Sequence, residues 1–254
     1  DDRFKLLSFT GSPAVGWEMK RNAGKKKVVL ELGGNAAVII TPTADMEKAV
    51  AKSIVAGFSY SGQICIHAQR FFVHESVFNT FSNLFVAAAK KLKQGNPESA
   101  DTEVSNMIDG ENAKRVESWI NEALQQGASL LLGGKRNGNF VEPTVLTNTN
   151  TTMDVCSKEV FGPVVTIEKY STFAEAVEML NDSDFGLQAA VFTLNDQEIT
   201  TAFQTIETGG VIINDVPTFR VDHMPYGGVK DSGLGREGVK YAILDMMEAK
   251  ILVK

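Results

Sequence analysis

Two residues of this chain, Cys65 and Glu31, have the side chains and the surroundings for acyl-transfer chemistry. Cys65 follows Ser61-Gly62-Gln63-Ile64, and Glu31 closes the apolar run Val28-Val29-Leu30 just before Gly33-Gly34. A thiolate that attacks a carbonyl can lead to a thioester, and release of the acyl group then requires a base that activates water. Glycines beside both residues allow a substrate to approach the backbone. One cysteine and one carboxylate could therefore supply both halves of this chemistry.

The elements that must position these residues alternate between strands and helices. Apolar runs of strand length at 28–32 and 36–40 flank the two glycines, and a helix from Asp45 to about Phe58 precedes the Cys65 loop. Further strands are predicted at 4–9, 69–74, 129–132, 141–146, 164–170, 189–192 and 211–214, and further helices at 13–24, 76–93, 111–126, 173–180 and 196–206. Continuous apolar strands between helices are typical of a parallel sheet that is covered on both faces. We therefore predict a three-layer α/β/α fold with a mainly parallel sheet.

The end of the chain has a different pattern. Several glycines between 227 and 238 precede a short helix, and Ala249 to Val253 is predicted to form a terminal strand. Such a strand has no partner in its own neighbourhood, so it could pair at an interface between chains.

Composition excludes several function classes. The formal net charge is −6 over 254 residues, which argues against a nucleic-acid surface. No apolar run has the length of a membrane span, and the first residues do not resemble a signal peptide. Cys65 and Cys156 have no CxxC spacing, which argues against a disulfide framework or a zinc site. The expected location is the reducing cytoplasm, without a metal or a membrane as partner.

The segment from Phe58 to Cys65, continuing to Arg70, resembles the nucleophile segment of the aldehyde dehydrogenase superfamily, and the Glu31 motif precedes it in the same order as in that superfamily. The resemblance implies that Cys65 attacks the aldehyde and that Glu31 activates the water that releases the acid. Taken alone, a free cysteine is usually a small buried apolar residue, and a strand-end glutamate simply faces solvent. Cys156 has no such motif and is interpreted as a structural thiol.

Other motifs of the same family imply a cofactor site for NAD or NADP. Gly11 and Ser12 lie between a strand and a helix, where free N–H groups and the helix dipole suit a dinucleotide phosphate. The segment Glu159-Val160-Phe161-Gly162-Pro163 also resembles a family motif. The resemblance implies that Glu159 accepts hydrogen bonds from a ribose and that Phe161 lies against the nicotinamide. Without the motif, Glu159 would be a surface carboxylate and Phe161 a core aromatic residue.

Three residues are candidates for the substrate pocket. The resemblance implies that Asn214 orders the floor of the active site, although an asparagine that caps a turn at a strand end is an alternative. Arg220, in the segment that borders the aldehyde entrance in the family, could hold an anionic group, or it could form an ion pair with Asp222. His67 is too close to Cys65 along the loop to act on the thiol, and we expect it in the pocket wall.

The resemblance covers the whole chain, but the chain covers about half of a family member. We expect residues 1–34 to be a remnant of the dinucleotide-binding domain, 35–235 to be the catalytic domain, and 236–254 to be a helix and strand that could serve oligomerisation. The family's upstream asparagine of the oxyanion hole and upstream lysine of the adenine ribose are not among these residues. The chain by itself is therefore expected to be inactive or nearly so.

The function implied is oxidation of an aldehyde to a carboxylic acid by a homo-oligomeric, NAD- or NADP-dependent enzyme. Glu31 favours hydrolysis over transfer to coenzyme A, and the segment 216–233 is most similar to branches that act on lactaldehyde and small anionic aldehydes. Two alternatives stay open. One is a thioester-forming hydrolase that needs no nucleotide, and the other is a catalytically silent fragment with a role in assembly.

Overall fold

A computed structural model describes residues 1–254 and contains fourteen strands and eight helices, which are named in chain order. The strands are β1 (Leu6–Thr10), β2 (Lys27–Glu31), β3 (Ala36–Ile40), β4 (Ala68–His74), β5 (Ser129–Leu132), β6 (Arg136–Asn137), β7 (Phe140–Val141), β8 (Thr144–Thr147), β9 (Val164–Tyr170), β10 (Phe185–Gly186), β11 (Gln188–Phe192), β12 (Gly210–Ile213), β13 (Val229–Lys230) and β14 (Gly233–Leu234). The helices are α1 (Pro13–Asn22), α2 (Met46–Phe58), α3 (Phe78–Ala89), α4 (Gly110–Gln125), α5 (Asp154–Ser157), α6 (Phe173–Asn181), α7 (Asp196–Thr205) and α8 (Val239–Met246).

The main sheet has seven strands in the order β12-β11-β3-β4-β9-β8-β5. All neighbouring pairs are parallel except β5 with β8, which is antiparallel. Alternate residues of β3 meet different helices: Val38 packs in one apolar cluster with Phe85 of α3, whereas Ile39 packs in another with Val177 of α6. Because successive side chains of a strand point to opposite faces, helices cover both sides of the sheet. The predicted three-layer α/β/α fold with a mainly parallel sheet is confirmed.

The helix that leads to Cys65 has the bounds that its sequence predicts. Asp45 accepts a hydrogen bond from the backbone N–H of Lys48 at 3.1 Å and so caps the first turn of α2. Such a cap typically stabilises a helix by about 1 kcal/mol. The last residue of α2 is Phe58, and a short 3-10 segment, Ser59–Gly62, follows it directly. The Cys65 loop therefore begins at a fixed point above the main sheet.

A second sheet, in the order β1-β2-β14, is built from residues near both ends of the chain. Thr10 at the end of β1 lies opposite Glu31 at the end of β2, and Gly233 of β14 lies opposite Glu31 on the other side. Because β1 and β2 are parallel, the turn after β1 and the carboxyl end of β2 meet at one edge of this sheet. Ligands of parallel α/β sheets bind at such edges.

Two predicted strands differ in the structure. The single strand expected at 141–146 is divided into β7 and β8, because Pro143 has no N–H to donate to a ladder. The terminal strand expected at 249–253 is wrong. These residues have no regular structure, and Leu252 is 80% exposed, because no strand of the chain lies beside them to complete their hydrogen bonds.

None of the helices is both long and apolar enough to cross a membrane.

Candidate active site

The loop that carries Cys65 turns sharply through left-handed backbone conformations. The φ angles of Tyr60, Ser61 and Gly62 are 53°, 56° and 70°. A left-handed conformation costs a non-glycine residue about 1 to 2 kcal/mol. The side chain of Ser61 offsets part of this cost, because its hydroxyl donates to the carbonyl of Ser105 at 3.0 Å and accepts from the N–H of the same residue at 2.9 Å. These two hydrogen bonds join the loop to the backbone of Ser105, and Cys65 is held in a half-buried position.

Backbone contact joins the Cys65 loop to the segment that follows Glu31. A Cβ atom placed on Gly34 would lie 2.1 Å from the carbonyl oxygen of Cys65, so only glycine fits at this position. The N–H of Gly34 donates to the carboxylate of Glu159 at 2.9 Å. Three segments that are far apart in the sequence therefore meet around one peptide unit.

Glu31 is buried, and neither of its carboxylate oxygens has a hydrogen-bond partner. The pKa of Glu31 is raised to about 8, chiefly by burial and also by the negative charge of Glu237, and the charges of Arg236 and Arg220 offset part of the increase. Buried carboxylates are normally hydrogen-bonded, so an unpaired one marks a position where a water or a ligand group is expected. A carboxyl with a pKa close to neutral is suited to accept a proton from water.

Cys65 and Glu31 line one cavity of about 610 Å³. Its walls come from five stretches of chain, and the lining residues are Thr10, Gly11, Ser12, Glu31, Leu32, Gly33, Gln63, Ile64, Cys65, Asn112, Arg115, Trp119, Glu159 and Phe161. All six residues that the motifs assign to catalysis and to the cofactor are in this set. The structure therefore brings the two groups of motifs into a single space.

The segment that carries Glu159 and Phe161 is fixed from below by Gln69 of β4. The Gln69 amide donates to the carbonyl of Lys158 at 2.8 Å and accepts from the N–H of Val160 at 2.9 Å, so it holds the backbone on both sides of Glu159. The pKa of Glu159 is raised to about 7 because the effect of burial exceeds the opposing effects of the hydrogen bond from Gly34 and the charge of Arg115. Phe161 has a φ of 48° and is 37% exposed, which places an aromatic ring at the cavity wall in a conformation common at functional sites.

The residues of the cavity fit one part of a nicotinamide dinucleotide. Ser12 is the N-cap of α1, and its side chain makes no capping hydrogen bond. The start of this helix therefore offers N–H groups and a positive dipole end to an anion. A Cβ atom on Gly33 would lie 2.4 Å from the Glu159 carboxylate, so this stretch of backbone is kept free of side chains beside an acidic group that can accept hydrogen bonds from hydroxyls.

The structure corrects two of the three pocket candidates. His67 is not in the cavity wall: it is buried, its Nε2 lies 2.9 Å from the carbonyl oxygen of Gly57, and burial lowers its pKa to about 4. It lies beneath the loop because the loop closes over the end of α2. Asn214 exchanges hydrogen bonds with the backbone of Thr193 at 3.0 and 2.9 Å and does not line the cavity. Its φ of 55° identifies the strand-end turn that was the alternative interpretation.

Arg220 lies in a separate cavity of about 470 Å³ and not in the one that contains Cys65. Its guanidinium forms an ion pair at 2.8 Å with Glu237, so the partner expected from the sequence, Asp222, is wrong. The same guanidinium stacks over the ring of Tyr226 at 4.2 Å from the ring centroid. Tyr226 itself reaches the thiol, and its hydroxyl lies 3.5 Å from the Sγ of Cys65.

Sequence reasoning missed Tyr226 and the polar face of α4. Asn112, Arg115 and Trp119 are spaced by three and four residues, which places them on one side of a helix. This spacing was a usable signal, because it forms a stripe beside the apolar stripe that faces the core. Tyr226 lies in the segment 216–233 to which the resemblance extends, but its contact with Cys65 gave no signal, since the two residues are 161 positions apart in the chain.

We expect Cys65 to react with iodoacetamide at least about tenfold faster than Cys156. Burial raises the pKa of both thiols, so access decides the difference: Cys65 lines an open cavity, whereas Cys156 is packed in an apolar cluster. Peptide mapping by mass spectrometry after brief treatment measures both rates in one sample. Faster labelling of Cys156 would contradict the assignment, and Cys65→Ser serves as the control for the identity of the labelled peptide.

Comparison with known proteins agrees with this geometry. The sequence profile described as the aldehyde dehydrogenase family matches residues 1–252. A 3-sulfolactaldehyde dehydrogenase of Priestia aryabhattai is 48% identical over 248 residues, which are 98% of this chain and 52% of that protein.

Two solved structures are similar over almost the whole chain. Aldehyde dehydrogenase 21 from Physcomitrella patens, in complex with the reaction product succinate, superposes with a TM-score of 0.98 at 50% identity, over 100% of this chain and 53% of that one. The glyceraldehyde-3-phosphate dehydrogenase GapN from Methanocaldococcus jannaschii, complexed with NADP, has a TM-score of 0.94 at 41% identity, over 97% of this chain and 54% of that one. The chain thus spans about half the length of the relatives that it matches.

Proposed function

Because the chain belongs to the aldehyde dehydrogenase family, we propose that a protein containing it oxidises an aldehyde to a carboxylic acid with NAD or NADP. One observation carries the proposal: an accessible thiol and a buried carboxylate without partners line the same cavity as a glycine-serine turn at a helix start. The three features supply a nucleophile, a base and an anion site within one space.

Cys65 is the proposed nucleophile, and its sulfur adds to the aldehyde carbon to form a hemithioacetal. The negative charge that develops on the aldehyde oxygen needs a donor close to the sulfur. The N–H of Cys65 is the donor that we propose, because it makes no backbone hydrogen bond within the loop and so remains available.

The proposed cofactor residues are Gly11, Ser12, Glu159 and Phe161. The turn at Gly11 and Ser12 would hold a phosphate, the Glu159 carboxylate would accept hydrogen bonds from a ribose, and the Phe161 ring would lie against the nicotinamide. A bound nicotinamide supplies the hydride acceptor that turns the hemithioacetal on Cys65 into a thioester. None of these residues distinguishes NAD from NADP.

Glu31 is the proposed base of the second half of the reaction. Its carboxylate takes a proton from a water molecule, the resulting hydroxide attacks the thioester carbon, and the carbon–sulfur bond breaks to release the acid and the Cys65 thiolate. The unpaired oxygens of Glu31 are consistent with a water in this position. A pKa near neutrality keeps part of the Glu31 population ionised at pH 7 and lets it accept the proton.

For the substrate we propose a small aldehyde that carries a hydroxyl or an anionic group. Two of the three relatives named above are described as a 3-sulfolactaldehyde dehydrogenase and as a complex with the product succinate, and both of these compounds are small anions. Arg220 is the proposed partner of the anionic group. Only one of its N–H groups is used by Glu237, and the guanidinium lies over the tyrosine that contacts the thiol.

Arg220→Ala is expected to lower kcat/KM for an aldehyde that carries a carboxylate or sulfonate by about 10- to 100-fold, because a hydrogen bond to a charged group contributes about 1.5–3 kcal/mol. A neutral aldehyde of the same length should be affected much less. Arg136→Ala is the matched control, since Arg136 is also an ion-paired arginine, with Glu117 as its partner at 2.7 Å, but it lines neither cavity. Equal losses for neutral and anionic aldehydes would contradict this role of Arg220.

We also propose a cytoplasmic homo-oligomer. Both cysteines are free thiols, as a reducing compartment would keep them. Apolar side chains of α8 and of residues 251–253 are exposed, which suits an interface with a second copy.

An absorbance assay for reduced dinucleotide, run on a protein that contains this chain together with the further half present in its relatives, tests the proposed function. We expect dinucleotide reduction with at least one small anionic aldehyde, whereas the 254-residue chain alone should label at Cys65 without turnover. Calorimetric titration with NAD and NADP separates the alternatives. Ester hydrolysis without any dinucleotide binding would favour the hydrolase, and the absence of both would favour an assembly role.

A further inference from the structure

The hydroxyl of Tyr226 is the only side-chain group that makes a hydrogen-bond contact with the thiol of Cys65. The distance between its oxygen and the sulfur is 3.5 Å, which is within the normal range for a contact to sulfur, and the tyrosine is buried. The structure gives neither group another side-chain hydrogen bond. A buried phenol whose sole partner is the sulfur of the proposed nucleophile needs an explanation beyond packing.

The ring of Tyr226 is positioned by its paired backbone and by Arg220. The backbone of Tyr226 and that of Glu237 exchange N–H to carbonyl hydrogen bonds, and the side chain of Glu237 binds Arg220, which in turn covers the ring. Gly227 follows directly, with a φ of 154°, and its Cα hydrogens face the carboxylate of Glu31. The hydroxyl is therefore aimed at the sulfur by a fixed ring.

The carboxylates that face the thiol work against its ionisation. Burial raises the pKa of Cys65, and the charges of Glu159 and of Glu31 on β2 raise it further, whereas the hydrogen bond from Tyr226 and, to a smaller extent, the backbone N–H of Cys65 lower it. Burial and the neighbouring sulfur raise the pKa of Tyr226 well above its ordinary value, so the phenol keeps its hydrogen and can donate it to an ionised sulfur. Arg220 is the one cation that lies over the ring, and its charge lowers the pKa of Tyr226.

We propose that Tyr226 is a catalytic residue whose phenolic hydrogen is donated to the ionised sulfur of Cys65, so that the thiolate forms in a buried and acidic cavity. The proposal rests on the proposed role of Cys65 as the nucleophile. No bond is broken in this step: the phenol keeps its hydrogen, and the sulfur gains a hydrogen bond in place of the water that burial removes.

The second-order rate of Cys65 alkylation by iodoacetamide, measured from pH 6 to 10.5, tests the proposal. Tyr226→Phe keeps the ring under Arg220 and removes only the hydroxyl. We expect the midpoint of the pH–rate profile to move up by about one pH unit, so that the rate at pH 7 falls about tenfold while the plateau at high pH is nearly unchanged. Tyr170→Phe is the matched control, because Tyr170 is an equally buried tyrosine whose hydroxyl donates to the carbonyl of Ile40 at 3.2 Å.

Replacement of Tyr226 by 3-fluorotyrosine gives a second variant that keeps the hydroxyl and makes it a stronger donor, so the midpoint should move down. An unchanged midpoint in both variants would overturn the proposal, and so would a lower plateau without a shift in Tyr226→Phe, which would indicate a packing defect. Alkylation requires neither aldehyde nor dinucleotide. The test therefore remains decisive even if the proposed oxidation of aldehydes is not observed.

Discussion

Cys65→Ala is expected to lower aldehyde oxidation by at least about 10³-fold, because it removes the only thiol in the cavity and with it the proposed nucleophile. The thiol contributes little to the contacts that shape the site. The hydrogen bond from the Gly34 N–H to the Glu159 carboxylate and the start of α1 do not involve the sulfur, and the other lining residues of the cavity are unchanged in the variant. The affinity for NAD or NADP should therefore change by less than about threefold, which calorimetry on the variant measures.

Cys156→Ala is the control for this experiment. Cys156 is the second free thiol of the chain, it is buried in the apolar cluster beneath α4, and its backbone carbonyl accepts a hydrogen bond from the Asn35 side chain, which alanine at this position retains. Its loss should reduce stability slightly and leave kcat within about twofold of the parent value. If Cys65→Ala retained substantial turnover, or if Cys156→Ala abolished it, the nucleophile would have been misassigned.

Glu31→Gln is expected to slow the release of the acid by about 10²-fold or more. Formation of the thioester on Cys65 should remain largely intact. The amide cannot accept a proton from water, whereas transfer of hydride from the hemithioacetal does not need this base. Stopped-flow absorbance should therefore show a burst of reduced dinucleotide that approaches one equivalent per active site, followed by a slow steady state.

The pH dependence provides a second readout of Glu31. Its pKa of about 8 means that the base form, the carboxylate, increases as pH rises through that value. The steady-state rate of the parent protein should rise from pH 6.5 to 9, and this rise should disappear in Glu31→Gln. Glu75→Gln is the control, because Glu75 is an exposed glutamate that lies outside the cavity. Loss of the burst itself with otherwise intact turnover would show that Glu31 is not the base of acid release.

The sequence was sufficient for the parts of the fold that depend on local patterns. The buried strand at 36–40 is a continuous apolar run, and the helix that begins after Asp45 has its capping residue in place, so both were predicted with their observed bounds. The split at Pro143 was also present in the sequence and was overlooked. The unpaired end at 249–253 shows the limit of such patterns, because an apolar run becomes a strand only where another strand lies beside it.

Residues of the site that belong to recognisable motifs could be predicted from the sequence. Residues whose positions depend on contacts between distant parts of the chain could not. Cys65, Glu31 and the cofactor-side residues line one cavity. His67 lies outside it, because its ring is hydrogen-bonded to the carbonyl of Gly57 near the end of α2. Arg220 forms its ion pair with Glu237 and not with Asp222, because the backbones of Tyr226 and Glu237 pair and bring the Glu237 carboxylate close to the Arg220 guanidinium. The direction of a side chain in an irregular segment depends on such long-range pairing, which periodicity does not encode.

The covalent intermediate itself provides the most direct test of the account. Glu31→Gln, mixed with NAD or NADP and a small anionic aldehyde and quenched in acid within the burst, should carry the mass of one acyl group in thioester linkage. Peptide mapping should place it on Cys65, and Cys65→Ala should show none. An unmodified Cys65 in a sample that has reduced one equivalent of dinucleotide, or an acyl group on another residue, would contradict the central claim that Cys65 and Glu31 divide the reaction between them.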